Sequence, residues 1–204
     1  MSGGARSGRP AVMGREYKAV VIGGSAGGVE ALTIILAMLP RDFALPLLVV
    51  QHLHASDGGF FAVHLAGVSR LPVVEPCDKA EIVPGRIYTA PANYHMLVER
   101  EGTVALSLAE RVNWSRPSID VLFESAAEVW EEGLAAVLLS GANSDGVKGL
   151  RAVREAGGLT MVQDPAEAKC PVMPQAAIDD GCADEVLTAG AIGRRLAGLG
   201  GRYC

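Results

Sequence analysis

The sequence predicts an α/β fold built on a mostly parallel sheet, and three observations carry that expectation. From Lys18 to Glu75, apolar runs and helical patterns alternate as strand, helix, strand, helix, strand, the order of a parallel sheet with right-handed crossovers. The first run meets a glycine-rich turn, Gly23-Gly24-Ser25-Ala26-Gly27, that opens straight into a helix. Ala135 to Leu139 then reads as a continuous apolar strand running into a second polar, glycine-containing loop.

Each element has its own signal. The first strand, Lys18 to Gly23, is followed by a helix with Val29, Leu32, Ile35, Leu36 and Leu39 at helical spacing, stopped by Pro40. Pro46 leads into a second strand, Leu47 to Val50; Phe60 to Val68 reads as a short helix and Leu71 to Glu75 as a third strand. Between Ile82 and Leu108 the pattern changes. Arg86 to Thr89 alternates in polarity, and the runs His95 to Arg100 and Thr103 to Leu108 join around Glu101-Gly102 as a β-hairpin, so the whole segment is expected to be an antiparallel excursion. Ser118 to Glu132 is an amphipathic helix with Ile119, Leu122, Phe123, Ala126 and Trp130 inward, Asp120, Glu124, Glu128 and Glu131 outward, and Ser118 or Ser115 as its cap. A helix from Val147 to Ala156, closed by Gly157-Gly158, precedes a strand from Leu159 to Gln163. An irregular loop with Pro165, Pro171 and Pro174, a short helix ending at Gly181, a strand near Glu185 to Leu187 and a helix from about Ala191 to Leu199 complete the chain.

Composition narrows the function. A chain of 204 residues, half hydrophobic and 5% aromatic, is most simply one domain with a core of Val, Leu, Ile and Ala. Its net charge of −5 argues against nucleic acid or a polybasic membrane surface, and no apolar stretch is long enough to insert in a bilayer. Cys77, Cys170, Cys182 and Cys204 form no C-x-x-C pair, so no metal or cofactor is expected and reduced cytoplasmic thiols are the default. Residues 1–17, rich in Gly, Ser and Arg without a signal-peptide core, read as a disordered tail ahead of a catalytic domain spanning 18–204.

The turn at Gly23 to Gly27 has the form G-x-S-x-G, which places a serine on a sharp strand-to-helix bend with its hydroxyl exposed. A phosphate-cradling G-x-G-x-x-G loop is the competing reading, but Ser25 stands where its second glycine belongs. The second strand also ends in Gln51-His52 rather than an acidic residue. Ser25, His52 and Asp145 all stand just past the carboxyl ends of parallel strands, the edge at which open α/β sheets bind ligands. A serine needs a base, imidazole can take and return its proton, and a carboxylate can fix the imidazole tautomer. His54 competes with His52, Glu75 competes with Asp145, and Asp145 has the alternative role of helix cap, whereas His64 and His95 read as packing or surface residues. The Ser, His, Asp order separates the chain from α/β-hydrolases, in which the acid precedes the histidine. Lys148, Arg151 and Arg154 recur along one helix, either as a solvated face or as a contact for acidic helices, and Arg116 either steers a carboxylate or pairs on the surface.

The segments IGGSAGG, VVQH, VPGRIYTAP with the following His95-Met96, RPSIDVLF, LLSGANSDGVKGL and MPQAAI resemble the catalytic domain of chemotaxis-type protein-glutamate methylesterases, in the same order from about Lys18 to Leu196. The resemblance implies a doubly wound three-layer α/β/α sandwich and a serine hydrolase that removes γ-methyl groups from chemoreceptor glutamates as methanol, with deamidation of receptor glutamines in some members. It puts the family's serine, histidine and aspartate on Ser25, His52 and Asp145, and backbone N–H groups near Ala26 and Ala142 are candidates for the oxyanion hole. Expected partners are the cytoplasmic helices of methylated chemoreceptors or a similar methylated signalling protein, with a separate receiver or methyltransferase protein as a further one. The chain departs from the common pattern at Ala26, at Gly141-Ala142-Asn143 and from His54 to Gly59. Only 17 residues precede the first strand, so control through an attached receiver domain is not expected. A non-catalytic adaptor of the same fold and a nucleotide-binding α/β protein are the rival classes, distinguished by absent turnover and by stabilisation with dinucleotides.

Overall fold

Strands that read as unbroken apolar runs need cover on both faces, and the fold supplies it. The computed structural model describes residues 16–200. The part of the expected tail formed by residues 1–15 lies outside them, as does Cys204. The chain runs β1 (Ala19–Gly24), α1 (Gly28–Met38), β2 (Leu47–Gln51), α2 (Phe60–Val68), β3 (Val73–Val74), β4 (Ile87–Thr89), β5 (His95–Val98) and β6 (Val104–Ser107). It continues α3 (Ile119–Trp130), β7 (Leu134–Leu138), α4 (Val147–Glu155), β8 (Leu159–Gln163), α5 (Val172–Asp179), β9 (Glu185–Leu187) and α6 (Ala189–Leu199).

Among the described residues the main sheet has the order β3-β4-β2-β1-β7-β8-β9, with every neighbouring pair parallel. Alternate residues of its strands feed two cores. Val21, Leu48, Val50, Ala136 and Leu138 face Ile119, Leu122, Phe123, Leu150 and Met173 of α3, α4 and α5. Val20, Ile22, Leu47, Val49 and Val137 face Leu32, Ile35, Leu65, Ile192 and Leu196 of α1, α2 and α6. The result is a three-layer, doubly wound α/β/α sandwich with β1 at its centre. From β1 the chain winds outward through β2, then returns to add β7 on the other flank, so the loops after β1, β2 and β7 meet at the carboxyl edge.

Four local expectations change. Arg86 to Thr89 does not belong to the antiparallel excursion: Ile87–Thr89 is a main-sheet strand, paired in parallel with β2 and β3, and only β5 and β6 form the separate antiparallel hairpin. Pro174 lies inside α5, where a proline in the first turn removes no helical hydrogen bond, and α6 begins at Ala189. Asp120, expected on the solvent face of α3, is buried at 4% exposure.

Candidate active site

Ser25 and His52 are brought together by strand register. Gly24 pairs with Gln51, and the His52 N–H donates to the Gly24 carbonyl at 3.0 Å, so the residues that follow β1 and β2 stand side by side at the sheet edge. The bend carrying Ser25 is tight. Gly27 has φ 78° and a Cβ there would come within 2.7 Å of the Ser140 hydroxyl, so glycine is required on both counts. From the opposite side, Gly141 approaches so closely that its Cβ would lie 3.0 Å from the Ser25 Cβ. Buried polar groups pin the same turn. Gln51 Nε2 donates to the Ser25 carbonyl at 2.7 Å, the Ser140 hydroxyl donates to the Ala26 carbonyl at 2.7 Å, and the Ser25 N–H donates to the Ser140 carbonyl at 2.9 Å. Among the described residues, the Ser25 hydroxyl and the backbone N–H groups of Ala26 and Ala142 make no hydrogen bond.

Asp145 comes from the loop after β7 and is fully buried. Its Oδ2 lies 2.8 Å from His52 Nε2 and accepts the Ile119 N–H at 2.7 Å, while Oδ1 accepts the Ser118 hydroxyl at 2.8 Å and Asn113 Nδ2 at 2.9 Å. The helix-cap alternative therefore takes an unexpected form. The N-cap of α4 is Gly146, and Asp145 instead receives the first N–H of α3. Ser118 occupies the N-cap position of α3, but its hydroxyl serves Asp145. Burial pushes the Asp145 pKa up; the bonds from His52, Asn113, Ile119 and Ser118 outweigh it and hold the carboxyl below its usual value. With Nε2 engaged, Nδ1 is the imidazole nitrogen without a hydrogen bond among the described residues.

A second buried carboxylate lies beside the first. Asp120 accepts the Gly149 N–H at 2.7 Å and Asn113 Nδ2 at 2.7 Å, so one amide group bridges both acids. Burial, reinforced by the Asp145 charge and opposed by the Gly149 bond, pushes its pKa up to about 6. Sequence reasoning missed Asn113, Asp120 and Gln51, because their roles depend on where three separate elements meet; the polar residues inside RVNWSRPSID were the available hint.

The competing candidates stand elsewhere. His54 is exposed and bonds the Ser56 hydroxyl, while His64 is exposed beside Thr33. His95 is buried, accepting the Ser118 N–H at Nδ1 and donating to the Glu110 carbonyl at 3.0 Å, a packing role that ties the hairpin to α3. Glu75 is exposed near the loop at Asp57, and partial burial and the Asp57 charge raise its pKa. Lys148, Arg151 and Arg154 pair with Glu124, Asp180 and Asp184. Among the described residues, no three His, Cys, Asp or Glu side chains are grouped to hold a metal ion.

Comparison with known proteins bears on the family and the fold. The family model described as CheB methylesterase matches residues 20–196. A Leptospira interrogans protein, provisionally named a protein-glutamate methylesterase/protein-glutamine glutaminase, is 49% identical over 84% of this chain and 89% of its own length. Protein-glutamate methylesterase/protein-glutamine glutaminase 3 of Geobacter metallireducens is 38% identical over 96% of this chain, which spans only 56% of that relative. Among solved structures, the Thermotoga maritima CheB methylesterase catalytic domain superposes with a TM-score of 0.86 at 35% identity, covering 90% of this chain and 99% of that one.

Proposed function

The chain belongs to the CheB methylesterase family, and from that premise we propose that it hydrolyses γ-methyl esters of glutamyl residues in a partner protein, releasing methanol. The proposed setting is cytoplasmic and the proposed substrate is the signalling helix of a methylated chemoreceptor or a similar protein. A separate receiver or methyltransferase protein is the proposed further partner. Glutamine side chains of the same partner enter the same site, releasing ammonia, in keeping with the double name its relatives carry. Among the described residues no helix is long and apolar enough to cross a membrane.

In this reading Ser25 attacks the ester carbonyl while His52 Nδ1 takes its proton, and Asp145 holds Nε2 and stabilises the imidazolium. The N–H groups of Ala26, which follows Ser25, and of Ala142, which follows the Gly141 that approaches Ser25, have no protein acceptors among the described residues and stabilise the oxyanion. Collapse of the tetrahedral intermediate expels methanol, protonated by His52, and leaves a Ser25 ester of the substrate glutamate. Water activated by His52 then cleaves that ester, restoring the serine and giving the carboxylate. The observation that carries the reading is the 2.8 Å His52–Asp145 hydrogen bond at the strand end adjoining Ser25. Ser25→Ala is expected to reduce methanol release from a methylated chemoreceptor fragment to background, with circular dichroism and melting temperature retained. Release at the wild-type rate would reject the assignment.

A further inference from the structure

The strap between β6 and α3 presents Trp114, which at 93% exposure is the barest large apolar side chain among the described residues. It is nevertheless held in place. Asn113 and Trp114 form a two-residue turn with φ 49° and 65°, closed by hydrogen bonds between Val112 and Ser115 in both directions. Inside the turn, Asn113 grips the two buried acids, so the backbone under the indole is tied to the group that holds His52. The turn walls a cleft of about 280 Å³ whose lining includes His52, His54 and Asn93.

Two cations line that cleft, Arg111 and Arg116. Arg116 Nη1 donates to the carbonyls of Leu108 and Ala109 at 2.8 and 2.9 Å, and Arg111 is exposed; among the described residues neither meets a carboxylate. Six other cations of the described residues do, and six more, Lys18, Arg41, Arg70, Arg86, Arg100 and Arg194, do not, so what sets Arg111 and Arg116 apart is their place in this cleft. This leaves two positive charges without an ion-pair partner in the lining that His52 shares. A field of that sign draws in an anionic partner, and an exposed tryptophan on a fixed backbone offers a large contact at little entropic cost.

We propose that this cleft receives the stretch of protein substrate flanking the esterified side chain, that this stretch is acidic, and that Trp114 packs against it while Arg111 and Arg116 face its carboxylates. The proposal rests on the methylesterase reading of the adjoining site. Trp114 and Arg111 are determinants of specificity; they touch the flanking polypeptide and take no part in the bond changes. Arg116 also braces the strap, so Arg111 is the cation to vary.

The test compares two esters: a glutamyl γ-methyl ester peptide flanked by acidic residues, and the blocked amino acid N-acetylglutamate γ-methyl ester amide. Trp114→Ala and Arg111→Gln are each expected to lower the ratio of kcat/KM for the peptide to that for the blocked amino acid by about tenfold, through KM of the peptide. Arg111→Gln is also expected to flatten the salt dependence of the peptide reaction. An unaltered ratio in both variants overturns the proposal. So does a Trp114-dependent dimer with that ratio unaltered, since the face then belongs to a second copy. If the wild-type protein turns over neither ester, the methylesterase reading fails instead. Calorimetric titration of wild type and Trp114→Ala with the acidic peptide then decides the cleft: Trp114-dependent binding supports it, and no binding overturns it.

Discussion

Asp145 and Asp120 meet the same amide and end with opposite electrostatics. Asp145 collects four donors within 3 Å and stays ionised, whereas Asp120 collects two and feels its neighbour's charge. A carboxyl raised in the folded state contributes stability that is complete below its unfolded pKa. For Asp120 that contribution is lost as pH rises from the ordinary 3.8 to about 6. Asp145 runs the other way, stabilising above its unfolded value and losing that contribution as pH falls through its lowered one. Asp120→Asn is therefore expected to remove a decline on the order of 2 kcal/mol between pH 4 and 6, measured by urea denaturation across that range. An unchanged slope would show that Asp120 does not titrate there. Ser25, His52 and Asp145 were legible as candidates because each stands one turn beyond an apolar strand. Asp120 was not, because its spacing on α3 matches the solvated glutamates and only the approach of Gly149 and Asn113 distinguishes it.

At the scale of elements, α4 shows how a basic row can be spoken for. Lys148 reaches Glu124 on α3, Arg151 reaches Asp180 at the end of α5, and Arg154 reaches Asp184 before β9. Lys148 and Arg151 are largely exposed, so Lys148→Ala and Arg151→Ala are each expected to shift stability by less than about 1 kcal/mol in chemical denaturation. A loss of several kcal/mol would mean that these pairs lock the helix layer. The helices and central strands were legible from periodicity, because each is long enough to repeat its pattern. β4 was not. Parallel strands normally need a helical crossover, yet residues 75–86 connect β3 to β4 without one, and a strand of three residues shows too little alternation to declare its partner. What places β4 is its parallel pairing with the distant β2, while the Tyr88 hydroxyl, which donates to the Glu81 carbonyl and accepts the Val83 N–H, folds the preceding loop back onto the strand.

Across the whole molecule, the two cores lie on opposite faces of the same strands, with Val20 and Ile22 on one side and Ala19 and Val21 on the other. Neither helix layer has a sheet of its own to keep if the other is lost. Thermal unfolding is therefore expected as one transition, with far-ultraviolet circular dichroism and tryptophan fluorescence superimposing; two separated midpoints would show independent layers. The sheet edge where the β1, β2 and β7 loops converge followed from the alternation of elements, whereas the strap that closes over it came from a segment with no period to read. Asp145 answers to both, since the oxygen that meets His52 also terminates the first turn of α3. Anyone wanting an inert form of this protein in which to capture a bound partner should therefore disarm the nucleophile and leave the acid alone. Among the described residues the hydroxyl of Ser25 bonds to no other part of the architecture, but removing the carboxylate would strip a helix of its stopper and confuse a lost reaction with a loosened fold.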